Sequence, residues 1–177
     1  MYSNVYSVQE LETLRGLANQ KFGTIKNNWI DIGWWTAPHL TKWMLGKEFG
    51  TRNNQHITDT THVSARRSYV SGFLEGNTSA TRPWSRQLHG DPAKNKIPRV
   101  KKWLDHFNER CMKNLSSSNF YNEAARFYDH YGIFNTGVHY IVELPGRYFF
   151  YTLDPGSYRL INDQFGKAEI LIMESLS

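Results

Sequence analysis

Only one cysteine, Cys111, occurs in the 177 residues, which excludes an internal disulfide framework. Long apolar runs are missing as well: none approaches the roughly 20 residues needed to cross a bilayer. The opening MYSNVYSVQELETL has no basic segment followed by an apolar one. A protein made and kept in cytosol-like conditions, with no membrane partner, is expected. The chain also lacks a Gly-x-x-x-x-Gly-Lys-Ser/Thr phosphate loop, a Gly-x-Gly-x-x-Gly fingerprint, a Cys-x-x-Cys pair and a Gly-x-Ser-x-Gly elbow. Nucleotide hydrolysis, dinucleotide chemistry and hydrolase action thereby lose their usual sequence support. The expectation shifts from an enzyme towards binding or structure, with no cofactor.

Charge of one sign is not concentrated anywhere. Lys and Arg number 21 against 16 Asp and Glu, a formal +5 that favours polyanions at long range but is spread without a dense run. Large rings are plentiful instead, with aromatics at 15% of the chain. Rings gain most when packed, and Tyr, Trp and Arg favour interface cores, so a folded chain that buries surface against partners is expected.

The pattern is helical first and strand-like last. From Ser7 to about Trp29, Val8, Leu11, Leu14, Leu17, Ala18, Phe22 and Ile25 recur at helical steps, and Ser7 with Glu10 makes a capping box. The stretch from Ile30 to Gly50, with Trp34, Trp35 and Trp43 around Pro38, reads as an irregular connector. Residues 50–58 read as a loop before Asp59 or Thr60 caps a second helix, whose Val63, Val70, Phe73 and Leu74 share one face. Gly72, Gly76 and the run TSAT weaken that helix, and Pro83 forces Arg82 out of it.

Pro98 then opens the cleanest amphipathic helix, with Val100, Trp103, Leu104, Phe107, Cys111 and Leu115 on one face and the Cys111 thiol buried and inert. A further helix, capped by Ser118 or Asn119, buries Phe120, Ala124, Phe127 and Tyr131 and stops near Gly137. Beyond it the period falls to two: VHYIVEL, RYFFYTL, SYRLIND and KAEILIM, separated by turn sequences, predict an antiparallel meander of four strands. The fold class is α+β, with residues 1–137 helical and 138–177 a β-meander of the same domain.

Two groups of polar residues invite a chemical reading. His56, Asp59 and His62 carry metal-compatible donors, but the spacing suits one helix face poorly, and Asp59 serves better as a cap. Asp129, His130, His139 and Glu143 could hold an acid/base pair only if the fold converged them, and surface polarity is the simpler account.

Read in order, TDTTHVSARRSYVSGFLEGNTSATRPWSRQL, VKKWLDHFNERCMKNLSSSNFYNEAARFYDHYGIFNTGVHYIVE and FYTLDPGSYRLINDQFGKAEI resemble the podovirus-type head-to-tail connecting protein family, the phage portal proteins. The matching positions are Asp59 and Thr60 at a helix start, Arg82, Pro83 and Trp84 after its end, Trp103 and Leu104 in the next helix, and Ser118, Asn119 and Phe120 after that. Thr136 and Gly137 precede the first strand, Pro155, Gly156, Ser157 and Tyr158 form a turn, and Asp163 and Gly166 form another.

The resemblance implies a virion protein, in host cytoplasm during assembly, that forms a ring of twelve subunits at one capsid vertex. DNA is packaged and ejected through that ring, and the tail attaches to it. Implied partners are other copies of the chain, capsid, tail or adaptor proteins, terminase, and double-stranded DNA. Catalysis is left to a separate motor. Family members are several times longer, so the chain resembles their amino-terminal, outer wing portion. Arg66, Arg67 and Arg82 are the candidate subunit-contact or DNA-facing residues, with Asp59, Pro83, Trp84 and Trp103 as structural anchors. A free-standing basic α+β nucleic-acid-binding protein is the second reading.

Overall fold

The computed structural model describes residues 6–46, 54–162 and 168–173. Among the described residues five α-helices precede four strands: α1 Val8–Thr36, α2 Lys42–Leu45, α3 Thr61–Asn77, α4 Pro98–Ser117, α5 Phe120–Phe134, β1 His139–Leu144, β2 Arg147–Thr152, β3 Tyr158–Asn162 and β4 Ala168–Met173. The α+β class is as expected. The turn expected at Asp163 and Gly166 and the first residues of the 50–58 loop lie outside the described residues. No helix among the described residues is long and apolar enough to cross a membrane.

The chain forms two compact units, one of Met1–Ser64, Ile133–Thr136 and Leu153–Ser177, the other of Ala65–Gly132 and Gly137–Thr152. In the first unit, the capping box expected at Ser7 and Glu10 is present: the Glu10 carboxylate accepts from the Ser7 N–H at 2.8 Å, and the Glu10 N–H donates to Ser7 Oγ at 3.3 Å. These bonds, chiefly the one from the Ser7 backbone, hold the Glu10 carboxyl below its usual range. α1 runs seven residues beyond the expected end at Trp29. Its second half replaces the irregular connector as far as Thr36, because nothing before Pro38 denies the backbone its hydrogen bonds.

Ala37, Leu40, Met44 and Phe134 form the core of this unit, with Phe22, Trp29 and Ile30 packed against it. Trp29 sits between Phe22 and Phe134, at 5.6 and 5.3 Å between ring centroids. Gly33 makes this packing possible. A Cβ there would collide with Thr41 Cγ2 and lie 3.3 Å from Phe134 Cζ, and Thr41 is wholly buried with no room to yield. Gly33→Ala is therefore expected to destabilise by about 1–3 kcal/mol despite its better helix propensity. Gly16→Ala, in the same helix with open space at the Cβ position, is expected to stabilise by roughly 0.5–1 kcal/mol. Urea midpoints of the two variants moving in the same direction would remove this account of Gly33.

The predicted meander is corrected to two separate two-stranded sheets, β1 with β2 and β3 with β4, both antiparallel. The reason lies on the outer edge of β2. There Asn119 Oδ1 accepts from the Phe150 N–H at 2.9 Å and Asn119 Nδ2 donates to the Phe150 carbonyl at 2.8 Å, while Glu123 accepts from the Thr152 N–H at 2.7 Å. Side chains at the start of α5 thus occupy the groups a third strand would need. After Thr152 the chain turns through Asp154-Pro155-Gly156-Ser157, closed by the Ser157 N–H on the Asp154 carbonyl at 3.0 Å. Gly156 has φ +93, the left-handed value that the third position of such a turn requires.

In the second unit the predicted apolar faces are only partly covered. α3 has no buried residue: Val63, Val70 and Leu74 are half-buried and Phe73 is exposed. The rings of Tyr69, Phe73 and Tyr128 touch in sequence, at 4.5 and 5.8 Å, without closing a layer over α3. α4 likewise has no buried residue, and Cys111 is half-buried rather than enclosed. α5 buries Ala124 as expected, but Tyr131 is exposed. α5 ends at Asn135, whose φ of +52 is the left-handed helix stop that Asn tolerates.

Candidate functional site

At the start of α3, Asp59 Oδ1 accepts from the Thr61 hydroxyl at 2.6 Å and from the Thr61 N–H at 2.9 Å. These bonds, the hydroxyl first, hold its carboxyl below the ordinary Asp value. His56 is engaged elsewhere. Its Nε2 lies 2.7 Å from the Trp34 carbonyl oxygen and its ring stacks on Trp34 at 4.1 Å, with Trp35 edge-on at 5.3 Å. Asp59 therefore works as a cap, and His56 belongs to an aromatic stack.

The end of α3 is built by the residues that weaken it in sequence. Ser79, almost wholly buried, donates to the Glu75 carboxylate at 3.1 Å and accepts from the Thr81 N–H at 3.3 Å. Arg82 reaches back, its Nη2 donating to the Glu75 carbonyl at 2.7 Å, which satisfies one of the carbonyls a helix end leaves open. Pro83 is the exposed joint. Trp84 then stacks on Phe120 at 5.8 Å and 12°, with its Nε1–H directed at the Tyr121 hydroxyl at 3.4 Å. The Arg-Pro-Trp triplet is a two-ended clasp: the cation closes the helix behind it and the indole docks on the start of α5.

Beyond Phe120 the aromatic cluster continues through Phe150 and encloses His139, whose ring lies 5.5 Å from Phe150 and 6.2 Å from both Phe120 and Phe127. The Thr152 hydroxyl donates to the Glu123 carbonyl at 2.8 Å, so toward His139 Nδ1, 3.4 Å away, it offers a lone pair. Neutral His139 thus carries its proton on Nδ1, an assignment that follows from the network. Its Nε2 is buried without a hydrogen-bond partner. A second proton there would have no acceptor, and burial lowers the imidazole pKa below its usual 6.5, against the opposing pull of Glu123.

The sign of the pH effect follows. Below 6.5 the unfolded chain takes up a proton that the folded chain refuses, so stability falls as pH drops from 6.5 towards the lower folded value. The slope from this one group is at most about 1.4 kcal/mol per pH unit. His139→Phe should flatten the fall in urea midpoint between pH 7 and 5.5, and equal slopes in the two proteins would refute the assignment.

The remaining candidates are scattered. Arg66 pairs with Asp129, Nε to Oδ1 at 3.1 Å, with both side chains under one-fifth exposed. Arg67 is exposed and has no partner among the described residues. Trp103, expected on a covered face, is 64% exposed and stacks on Phe107. Glu143 is an exposed strand residue, while His130 is buried. The acid and imidazole group of Asp129, His130, His139 and Glu143 is thus divided among different neighbours. Neither Asn119, read as a cap candidate and a family-matching position, nor Glu123 gave any sequence signal that it braces β2. Ser118 takes that capping role, accepting from the Phe120 N–H at 3.2 Å.

The side-chain clasps and the aromatic cluster braced on a strand edge fix the geometry of this region, and the family comparison places the chain. The profile of the bacteriophage head to tail connecting protein family matches residues 8–175, and the chain belongs to that family. It is similar to the portal protein of Salmonella phage epsilon15, 28% identical over 134 residues, which is 75% of this chain and 24% of that protein. It is also similar to the probable portal protein of Bordetella phage BPP-1, 23% identical over 172 residues, 92% of this chain and 31% of that protein. The chain therefore spans less than a third of the length of these relatives, 24% of one and 31% of the other. The resemblance carried by Asp59 to Gly166 is borne out, and the free-standing nucleic-acid-binding alternative finds no support.

Proposed function

We propose that the chain is a phage portal subunit, or the amino-terminal part of one. It contributes to a ring at a capsid vertex through which DNA is packaged and ejected and to which the tail attaches. The observation that carries this reading is the family match across residues 8–175 together with the portal relatives. The role is assembly and conduit, with partners in other copies of the chain, capsid and tail or adaptor proteins, terminase, and the DNA in transit. The particle, and host cytoplasm before it is complete, is the corresponding location. Catalysis is assigned to a separate motor.

Exposed rings and aliphatic side chains favour association. Trp35 is 54%, Trp103 64% and Ile141 60% exposed, so each is available to a neighbouring surface. Among the three arginines, Arg67 is the one available for a neighbour's carboxylate, since Arg66 and Arg82 are engaged within the chain. A ring needs two different patches on each subunit that close on each other. Native mass spectrometry of the full polypeptide is expected to give one closed oligomer, twelve subunits by analogy. Monomers alone, even with capsid or scaffold proteins present, would overturn the proposal.

A further inference from the structure

α4 is covered on one side only. Val100, Leu104, Cys111 and Leu115 are half-buried, and the segment before the helix is tied to that side, the Gln87 N–H donating to Asn108 Oδ1 at 2.8 Å and Arg86 meeting Asp105 at 3.4 Å. At 100° per residue the uncovered edge of the same apolar stripe carries Trp103 and Phe107, 64% and 41% exposed and stacked at 5.6 Å and 8°. Beside them Arg99, Lys102 and Arg110 line a shallow hollow of about 480 Å³. All three are exposed and none has a carboxylate partner among the described residues. Glu109, the acid at the margin of this arc, faces His106 at 3.9 Å. Three uncompensated cations within roughly 16 Å of helix favour an anionic partner, and two rings beside them favour one that is apolar as well.

The chain carries a surface of the complementary kind. The first turns of α1 expose Val8 at 73% and Leu11 at 39%, with Leu14 next along the same stripe. Helical geometry places Glu12 on one flank of that stripe and Glu10 on the other, with Arg15, already engaged in an interaction of its own, on the stripe between Val8 and Leu11. Glu12 has no partner among the described residues, and Glu10 keeps its charge within the capping box. An apolar stripe flanked by carboxylates meets an aromatic stripe flanked by cations, the apolar-face packing of helix-in-groove recognition. Duplex DNA would meet the α4 cations but offers no unstacked base for the rings, and so leaves Trp103 and Phe107 uncovered.

We propose that the Trp103 and Phe107 arc of α4 docks on the acidic, apolar first turns of α1 in a second copy of the chain, as one element of the subunit contact. This rests on the ring reading and names a pair of surfaces within it. The contact is heterologous, since the two patches differ, and a chain of such contacts continues from copy to copy.

Two variants of the full polypeptide test it, each checked for unchanged circular dichroism: Trp103→Ala with Arg110→Glu on α4, and Val8→Ala with Glu12→Arg on α1. All four positions are exposed, so folding should survive. Each variant alone should lose association by at least about tenfold. Mixed together they should give mainly a two-subunit species, because the intact α1 of one meets the intact α4 of the other and the α1 and α4 surfaces left over both carry substitutions. Glu12→Arg combined with Arg110→Glu in one chain should recover part of the lost association. If each variant still assembles like the unsubstituted protein, or if the mixture stays monomeric, the surface assignment is wrong. Failure of the unsubstituted polypeptide to assemble would overturn the ring reading itself. Duplex DNA of 20 base pairs binding the unsubstituted protein but not the α4 variant, with assembly unaffected, would assign the arc to phosphate instead.

Discussion

Arg159→Ala is expected to lower the stability of the unit that holds α1 and β3 by about 3 kcal/mol, from lost hydrogen bonds to a charged group together with lost cation–π packing. Arg159 is only 9% exposed. Its guanidinium carbon lies 3.8 Å above the Phe22 ring centroid, Nε donates to Asn19 Oδ1 at 2.8 Å, and Nη1 donates to the Gly156 and Tyr158 carbonyls, each at 2.8 Å. One planar cation therefore binds the turn before β3 to the middle of α1. Arg159→Lys should recover little, because an ammonium cannot stack on Phe22 while its donors reach Asn19 and two carbonyls in a fixed plane. Urea titration, with hydrogen exchange read at α1 and β3, gives the measurement. A cost below about 1 kcal/mol for Arg159→Ala, the level of one ordinary hydrogen bond, would mean that α1 and β3 hold together without it.

Asn119→Ala should cost roughly 2–4 kcal/mol in the unit that holds β1 and β2, since it orphans both the N–H and the C=O of Phe150, a residue only 5% exposed. Asn119→Asp separates the two bonds. The carboxylate keeps an acceptor for the Phe150 N–H but turns a second oxygen towards the Phe150 carbonyl, so it should be nearly as harmful at neutral pH. It should improve in acid, where a protonated carboxyl donates again. An Asn119→Asp protein whose urea midpoint relative to the unsubstituted chain is the same at pH 4 and pH 7 would sink the two-bond account. The freed β2 edge should also promote concentration-dependent self-association in Asn119→Ala.

These two residues explain how much of the fold was legible. The Ser7 and Glu10 capping box, the Pro98 helix start and the four strand positions are local patterns, and each is read correctly from a few adjacent residues. The pairing of strands was not. Four β-rich runs with turns between them predict one meander, yet β2 and β3 belong to different sheets. Asn119 claims the edge of β2 from 31 residues away and Arg159 reaches Asn19 across 140, distances at which no periodicity gives warning. The candidate site divides in the same way. Asp59 as a cap follows from its neighbours, whereas the engagement of Arg66 by Asp129 and the enclosure of His139 depend on which helix and strand come together.

The sequence by itself determined the family, the α+β class, and the order and ends of most elements, because these depend on local periodicity, turn residues and ordered motifs. Only the tertiary structure decided which apolar faces remain uncovered. An amphipathic stripe such as that of α4 states that a face can be buried, but burial needs a second surface. Within this chain the cover reaches Leu104 and Cys111 and leaves Trp103 and Phe107 in water.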